Sequence, residues 1–200
     1  MIFLNSVYSQ VFHLLAGRIN HFPIIRLIFL SLDKTIFYFI IFLIIRYLIK
    51  LIKHRKISWR REILVWIFSF YIILLFCLTA FRGSYMPWHW HIYLHRSLSV
   101  INMHPIVHTL QLRYAKSPVD YYYNTYGNIL WFMPFGMMFP AITHHRMKFL
   151  GTAFSGMLMS ILIESLQFFL NTGVSDIDDV IFNTIGAIIG YFVYWIFSRL

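Results

Sequence analysis

The chain has 200 residues, of which 60% are hydrophobic, 20% are aromatic and only 12% are charged, and its net charge is +10. Soluble domains carry about 25% charged residues, so this composition excludes a soluble globular protein and indicates an integral membrane protein. The basic residues gather at the ends of apolar runs and form no aromatic-interleaved stripe, so we expect no nucleic-acid partner. The apolar runs lack the alternation of barrel strands, which predicts spanning helices in the lipid bilayer.

The first 32 residues are apolar but interrupted by polar positions, among them Asn5, Arg18, Pro23 and Arg26. No run there reaches the about 20 apolar residues that a membrane-spanning helix needs. We therefore predict an interfacial or re-entrant N-terminal segment. A signal peptide is not expected, because no basic stretch precedes the apolar start and no small-residue cleavage site follows.

Apolar runs at residues 35–52, 62–81, 126–142, 149–170 and 179–197 predict about five transmembrane helices, so the predicted fold is an all-α polytopic membrane helix bundle. Six basic residues lie between Lys50 and Arg61, and a short loop this basic is typical of the cytoplasmic side. Alternation from that loop predicts external segments at 83–125 and 171–178 and a cytoplasmic C-terminus. An anionic-lipid contact is the functional alternative for the same charges.

Four of the seven acidic residues lie around the last two predicted spans, and Glu164 falls inside an apolar run. Gly156, Ser160, Glu164 and Gln167 follow at spacings of four, four and three residues, so they share one helical face. An ionised carboxylate at that depth costs about 3 kcal/mol, so we expect Glu164 to be protonated, paired or in contact with water. A functional role and hydrogen bonding between helices remain alternatives.

Three aspartates crowd the start of the last span. Ser175 followed by Asp178 resembles a capping box, and acids in the first turn of a helix are stabilised by its dipole. Capping needs only one or two of these acids. Asp176, Asp179 and Asn183 fall on one face, which favours a functional cluster.

Small residues and prolines mark the helix contacts. Gly186 and Gly190 form a small-xxx-small pair that lets another backbone approach closely. Pro134 and Gly136 predict a kink or break in the third span, although packing alone also accounts for them. Asn128, at the outer end of that span, can reach the acidic cluster.

Histidines in the external segment invite a metal site, but proline interrupts one pair and no cysteine or acid lies near that pair in the sequence. Nearby tryptophans and tyrosines resemble an interfacial aromatic belt. We therefore expect no metal and no cofactor. The histidines are His89, His91, His95, His104 and His108.

The second half of the chain resembles the VanZ family, small membrane proteins whose founding member lowers susceptibility to the glycopeptide antibiotic teicoplanin. The chain reads N-x-L-x-F-x-P-x-G at 128–136, E-x-x-Q at 164–167 and D-x-D-D-x-x-x-N-x-x-G-x-x-x-G-Y at 176–191, as the family does. L-T-x-F-R, ending at Arg82, is similar to the family start. Val174 stands where many members carry arginine, so no anionic contact is expected there.

This resemblance implies a bacterial plasma-membrane protein with a VanZ-like membrane domain at 61–200 and an N-terminal addition at 1–60. Our first hypothesis is that an outward-facing cluster binds a polar group of a glycopeptide antibiotic or a cell-wall lipid intermediate. An intramembrane enzyme acting on a lipid-linked envelope substrate and a structural or partner-binding protein are the alternatives. The catalytic residues and the oligomeric state are not predicted. The candidate binding residues are Glu164, Gln167, Asp176, Asp178, Asp179, Asn183, Asn128 and Arg82.

Overall fold

The computed structural model describes residues 1–15, 22–53, 58–106, 123–143 and 148–199. These ranges hold no β-strand, only an isolated bridge between Asn102 and Asp176, and the predicted all-α class is confirmed. Short 3-10 turns lie at Pro87–His89 and Leu98–Val100, and a π-turn at Tyr123–Gly127. The α-helices within these ranges are α1 (Asn5–Leu15), α2 (Phe22–Ile52), α3 (Trp59–Thr79), α4 (Asn128–Ile142), α5 (Phe149–Leu170) and α6 (Ile177–Phe197).

Four of the described helices, α2, α3, α5 and α6, are long and apolar enough to cross a membrane. Each has at least 21 residues, and at about 1.5 Å per residue such a helix matches a hydrocarbon core about 30 Å thick. The chain is therefore a multi-pass membrane protein. α4 has 15 residues and directly follows the π-turn. The span predicted at 126–142 stays a prediction.

α2 is longer than expected, because it begins at Phe22 and not at residue 35. Polar side chains inside it do not end the helix, since they find hydrogen-bond acceptors. Ser31 Oγ donates to the carbonyl of Cys77 at 3.0 Å, and Thr35 Oγ1 donates to the carbonyl of Ser31 at 2.7 Å. Lys34 Nζ likewise donates to a backbone carbonyl. Polar groups satisfied in this way are tolerated in an apolar environment.

Asp33, also in α2, binds the chain segment that precedes α1. The side chain is 0% exposed and accepts hydrogen bonds from the backbone N–H groups of Ile2, Phe3 and Leu4, each at 2.7 Å. Its Oδ2 also accepts from the hydroxyl of Tyr85 at 3.1 Å. The pKa of Tyr85 is raised, mainly by burial and secondly by the adjacent Asp33 carboxylate. Residues 2–4 are thus tied to α2 by one carboxylate.

The chain forms two compact units, Met1–Trp90 and His91–Leu200. In the first unit α2 packs along α3, and Leu75, Cys77 and Ala80 are buried. In the second unit α6 packs against both α4 and α5. The domain boundary predicted between residues 60 and 61 was based on the basic loop and on the family pattern. It stays a prediction.

Glycines allow α4 and α6 to approach closely. A Cβ atom at Gly186 or Gly190 would lie 2.3 Å or 2.1 Å from a carbonyl oxygen of α4. A Cβ atom at Gly136 would lie 2.0 Å from the carbonyl oxygen of Ala187 on α6. Side chains at these positions would therefore collide with backbone. Pro134 lies inside α4, and the kink predicted there stays a prediction.

Candidate functional site

The candidate site surrounds the turn between α5 and α6. The turn begins with Asn171, which adopts the left-handed conformation at φ 51°. Asp176 is the N-cap of α6, since its Oδ1 accepts from the N–H of Asp178 at 2.9 Å. The expected capping box, with Ser175 as the cap, is therefore wrong by one residue. Ser175 Oγ donates instead to the carbonyl of Glu164 at 2.7 Å.

The Glu164 carboxylate connects α5 to the start of α6. It is 8% exposed, and its Oε2 accepts from the backbone N–H of Asp176 at 3.0 Å. The other positions on the same helical face, Gly156, Ser160 and Gln167, are also buried. This face of α5 therefore lies inside the second unit.

Asn102 also contacts the site. It lies near the end of the described range 58–106. Its backbone N–H donates to the carbonyl of Ser175 at 2.9 Å, and its carbonyl accepts from Ile177 at 3.0 Å. Its Nδ2 also donates to Asp176 Oδ1 at 3.0 Å. The carboxylate that caps α6 thus also holds a distant segment.

Two further contacts fix the same segment. Asp178 is 2% exposed, and its Oδ1 accepts from the backbone N–H of Ile106 at 2.5 Å. Arg96 Nη1 donates to the carbonyl of Phe168 at 2.8 Å, and its guanidinium lies 5.3 Å from the centre of that ring. Sequence reasoning missed Asn102 and Arg96, because their partners are 74 and 72 residues away and the segment has no helical periodicity.

Amides connect α4, α5 and α6. Asn128 Nδ2, at the start of α4, donates to Asp179 Oδ1 on α6 at 2.6 Å. Asn183 Nδ2, also on α6, donates to Ser160 Oγ on α5 at 2.8 Å. Asn183 Oδ1 is buried without a hydrogen-bond partner in the part of the chain that the structure describes.

All the predicted site residues except Arg82 belong to the second unit. Gln167 is buried, and a Cβ atom at Gly173 would lie 2.8 Å from its Oε1. Arg82 belongs to the first unit, where its Nε donates to the carbonyl of Leu78 at 2.9 Å. No group of three metal-ligating side chains converges within the described ranges, and His108 lies outside them.

A groove of about 330 Å³ runs beside the turn between α5 and α6. Glu164 and Asp176 border it, and its walls are otherwise mainly apolar. Small-molecule sites have volumes of about 300–1,000 Å³ and combine apolar walls with a few polar groups. The groove therefore has the size and lining to hold an amphipathic molecule. Its apolar lining includes Leu98, Met103, Ile161 and Phe169.

We expect Asp176→Asn to leave the melting temperature almost unchanged and Asp176→Ala to destabilise the protein by about 2 kcal/mol. Asparagine caps a helix as well as aspartate does, whereas alanine offers no acceptor to Asp178 or Asn102. Thermal unfolding of the purified protein in detergent measures the difference. Equal melting temperatures for the two variants would show that this cap does not stabilise the site.

The motifs of the second unit lie in a region that is similar to a known protein family. A family model described as VanZ/LLP1 matches residues 68–198, which include α4, α5, α6 and every candidate binding residue. Comparison with curated proteins and with solved structures gave no match. The family match covers well over half of the chain and confirms the resemblance that the motifs indicated. The chain therefore belongs to the VanZ/LLP1 family.

Proposed function

We propose that this protein lies in the bacterial plasma membrane and lowers susceptibility to glycopeptide antibiotics by binding an amphipathic molecule in the groove between α5 and α6. The observation that carries this proposal is that Glu164 and Asp176 border an apolar groove of about 330 Å³. The ligand is either the glycopeptide itself or a cell-wall lipid intermediate. Both classes combine polar donors with apolar parts.

The chemistry of the groove supports such a ligand. Carboxylate oxygens accept hydrogen bonds from ammonium, amide and hydroxyl groups. The apolar walls, which include Ile161 and Phe169, suit an acyl or isoprenoid chain. Glu164 is held by the backbone N–H of Asp176, so little conformational freedom would be lost when a ligand binds.

The basic residues support the sidedness that this function requires. Six of them lie between Lys50 and Arg61, and a loop of this kind stays on the cytoplasmic side. With 126–142 counted as a span, alternation puts the turn between α5 and α6 outside and the C-terminus inside. The groove would then meet molecules at the outer surface of the membrane.

The first test compares teicoplanin susceptibility in a deletion strain that carries wild-type or variant protein. Glu164→Gln and Asp176→Asn remove charge while keeping acceptor oxygens, so we expect normal abundance but about ten-fold weaker binding and lost tolerance. Membrane abundance is measured by immunoblot in the same cells. Wild-type tolerance in both variants at normal abundance would contradict the proposal.

A second arm blocks the groove without changing charge. Ile161 lines the groove, while its neighbour Leu162 is 48% exposed and does not line it. We expect Ile161→Trp to abolish tolerance and Leu162→Trp to preserve it. Equal tolerance in these matched variants would show that the groove is not the binding site.

A structural role is the second candidate, because several site carboxylates bind backbone N–H groups. Glu164, Asp176 and Asp178 each accept such a bond, at 3.0, 2.9 and 2.5 Å. In this case Glu164→Gln would lower the melting temperature, and any loss of tolerance would follow membrane abundance. Thermal unfolding of the purified variants separates the two candidates.

A further inference from the structure

A basic cleft of about 370 Å³ lies in the first unit, between the C-terminal end of α2 and the start of α3. Four cationic side chains and one carboxylate line it, so its formal charge is four positive against one negative, or +3. The charged residues of the cleft are Arg46, Lys50, Lys53, Arg61 and Glu62.

Glu62 fixes two of these cations in place. The residue is 5% exposed, and its two carboxylate oxygens bind Arg46 Nε at 2.7 Å and Arg46 Nη2 at 3.0 Å. Lys50 Nζ lies 2.5 Å from Oε1 of the same carboxylate. Lys53 and Arg61 form no ion pair within the described ranges. The cleft therefore presents an excess of positive charge that its single acid does not balance.

The residues around the cleft indicate that it lies at the level of the lipid headgroups. Its apolar wall is formed by Phe42, Ile45 and Ile49, and the last two are 51% and 46% exposed on a helix long enough to span the membrane. Trp59, the first residue of α3, is 64% exposed, and exposed tryptophan is typical of membrane interfaces. An anion in the cleft could thus continue into an apolar chain along α2.

We propose that this cleft binds the phosphate headgroup of an anionic phospholipid. Basic pockets at the ends of transmembrane helices are suited to such headgroups. Membrane topology requires an excess of Lys and Arg on one side, but it does not require them to converge around a buried carboxylate. The inference is independent of the groove between α5 and α6.

The first experiment titrates the purified full-length protein in neutral detergent with phosphatidylglycerol, phosphatidylcholine or glycerol 3-phosphate. Native mass spectrometry should show retained phosphatidylglycerol, with a higher melting temperature than phosphatidylcholine gives. Glycerol 3-phosphate at the same concentration should have no effect, because it lacks acyl chains. Equal effects of the two lipids, or an equal effect of glycerol 3-phosphate, would overturn the proposal.

Adjacent arginines provide matched variants. Arg61 lines the cleft and Arg60 does not, yet glutamine at either position removes one charge from the same helical turn. We expect Arg61→Gln to weaken phosphatidylglycerol binding about five-fold, the equivalent of about 1 kcal/mol for one cation near an anionic surface, and Arg60→Gln to change it little. Equal losses would overturn a specific site. If Arg61→Gln fails to fold, Lys53→Gln applies the same test.

Discussion

Gly136→Ala is expected to lower the free energy of unfolding by about 3 kcal/mol, the upper end of the usual range for overpacked sites. The alanine Cβ would lie 2.0 Å from the carbonyl oxygen of Ala187 and 2.9 Å from the backbone nitrogen of Tyr191. Both atoms belong to the backbone of α6, so no side-chain rotation relieves the contact and the two helices must separate. Thermal unfolding in detergent, together with the yield of monodisperse protein, measures the loss.

Two controls isolate the backbone contact. Gly83→Ala should change little, because nothing lies within 4 Å of a Cβ atom there. Gly156→Ala should destabilise through the side chain of Ala187, whose Cβ would be 2.5 Å away. Ala187→Gly should therefore rescue Gly156→Ala but not Gly136→Ala, which meets the carbonyl oxygen. Rescue of both variants would contradict this account of the contact between α4 and α6.

Asp33→Ala is expected to destabilise the first unit by about 3 kcal/mol or more, because each hydrogen bond to a charged group contributes about 1.5–3 kcal/mol. The substitution leaves the N–H groups of Ile2, Phe3 and Leu4 and the hydroxyl of Tyr85 without their common acceptor. Asp33→Asn should be intermediate, since one oxygen remains. Thermal unfolding and hydrogen exchange of the amides at residues 2–4 measure the effect.

Tyr85 gives this prediction a control and a second readout. Tyr85→Phe removes only one donor to Asp33 and should cost about 1 kcal/mol. In Asp33→Asn the pKa of Tyr85 should fall towards its ordinary value, because the negative charge that helps to raise it is gone. Absorbance of the phenolate during a pH titration reports this change. Unchanged exchange at residues 2–4 in Asp33→Ala would show that the carboxylate does not hold the segment.

Most of the features that could be predicted from the sequence were predicted from helical spacing and from the lengths of apolar runs. Four apolar runs correspond to α2, α3, α5 and α6, because the length of a spanning helix is set by bilayer thickness. The same spacing placed Glu164 and Gln167 on one face of α5, and the structure buries both. These predictions needed only relations within one helix.

Long-range contacts made by irregular segments could not be predicted. Asp33 binds backbone N–H groups, which every residue except proline carries, so no side-chain pattern marks its partners. Asn102 contacts Asp176 from a segment with no periodicity. Even the cap of α6 differed by one residue, since serine and aspartate are both good caps and the hydroxyl of Ser175 binds elsewhere.

The packing of α6 against α4 has a consequence for the order in which the second unit assembles during synthesis. α4 and α5 are synthesised before α6, yet the close contacts of α4 at Gly136 are with α6. Close backbone packing is a main source of helix association in membrane proteins, and α4 has no shape-matched neighbour for Gly136 until α6 has been synthesised. Asp179, whose carboxylate accepts a hydrogen bond from the amide of Asn128 on α4, arrives on α6 as well. The second unit can therefore complete its helix packing only after α6 has been translated.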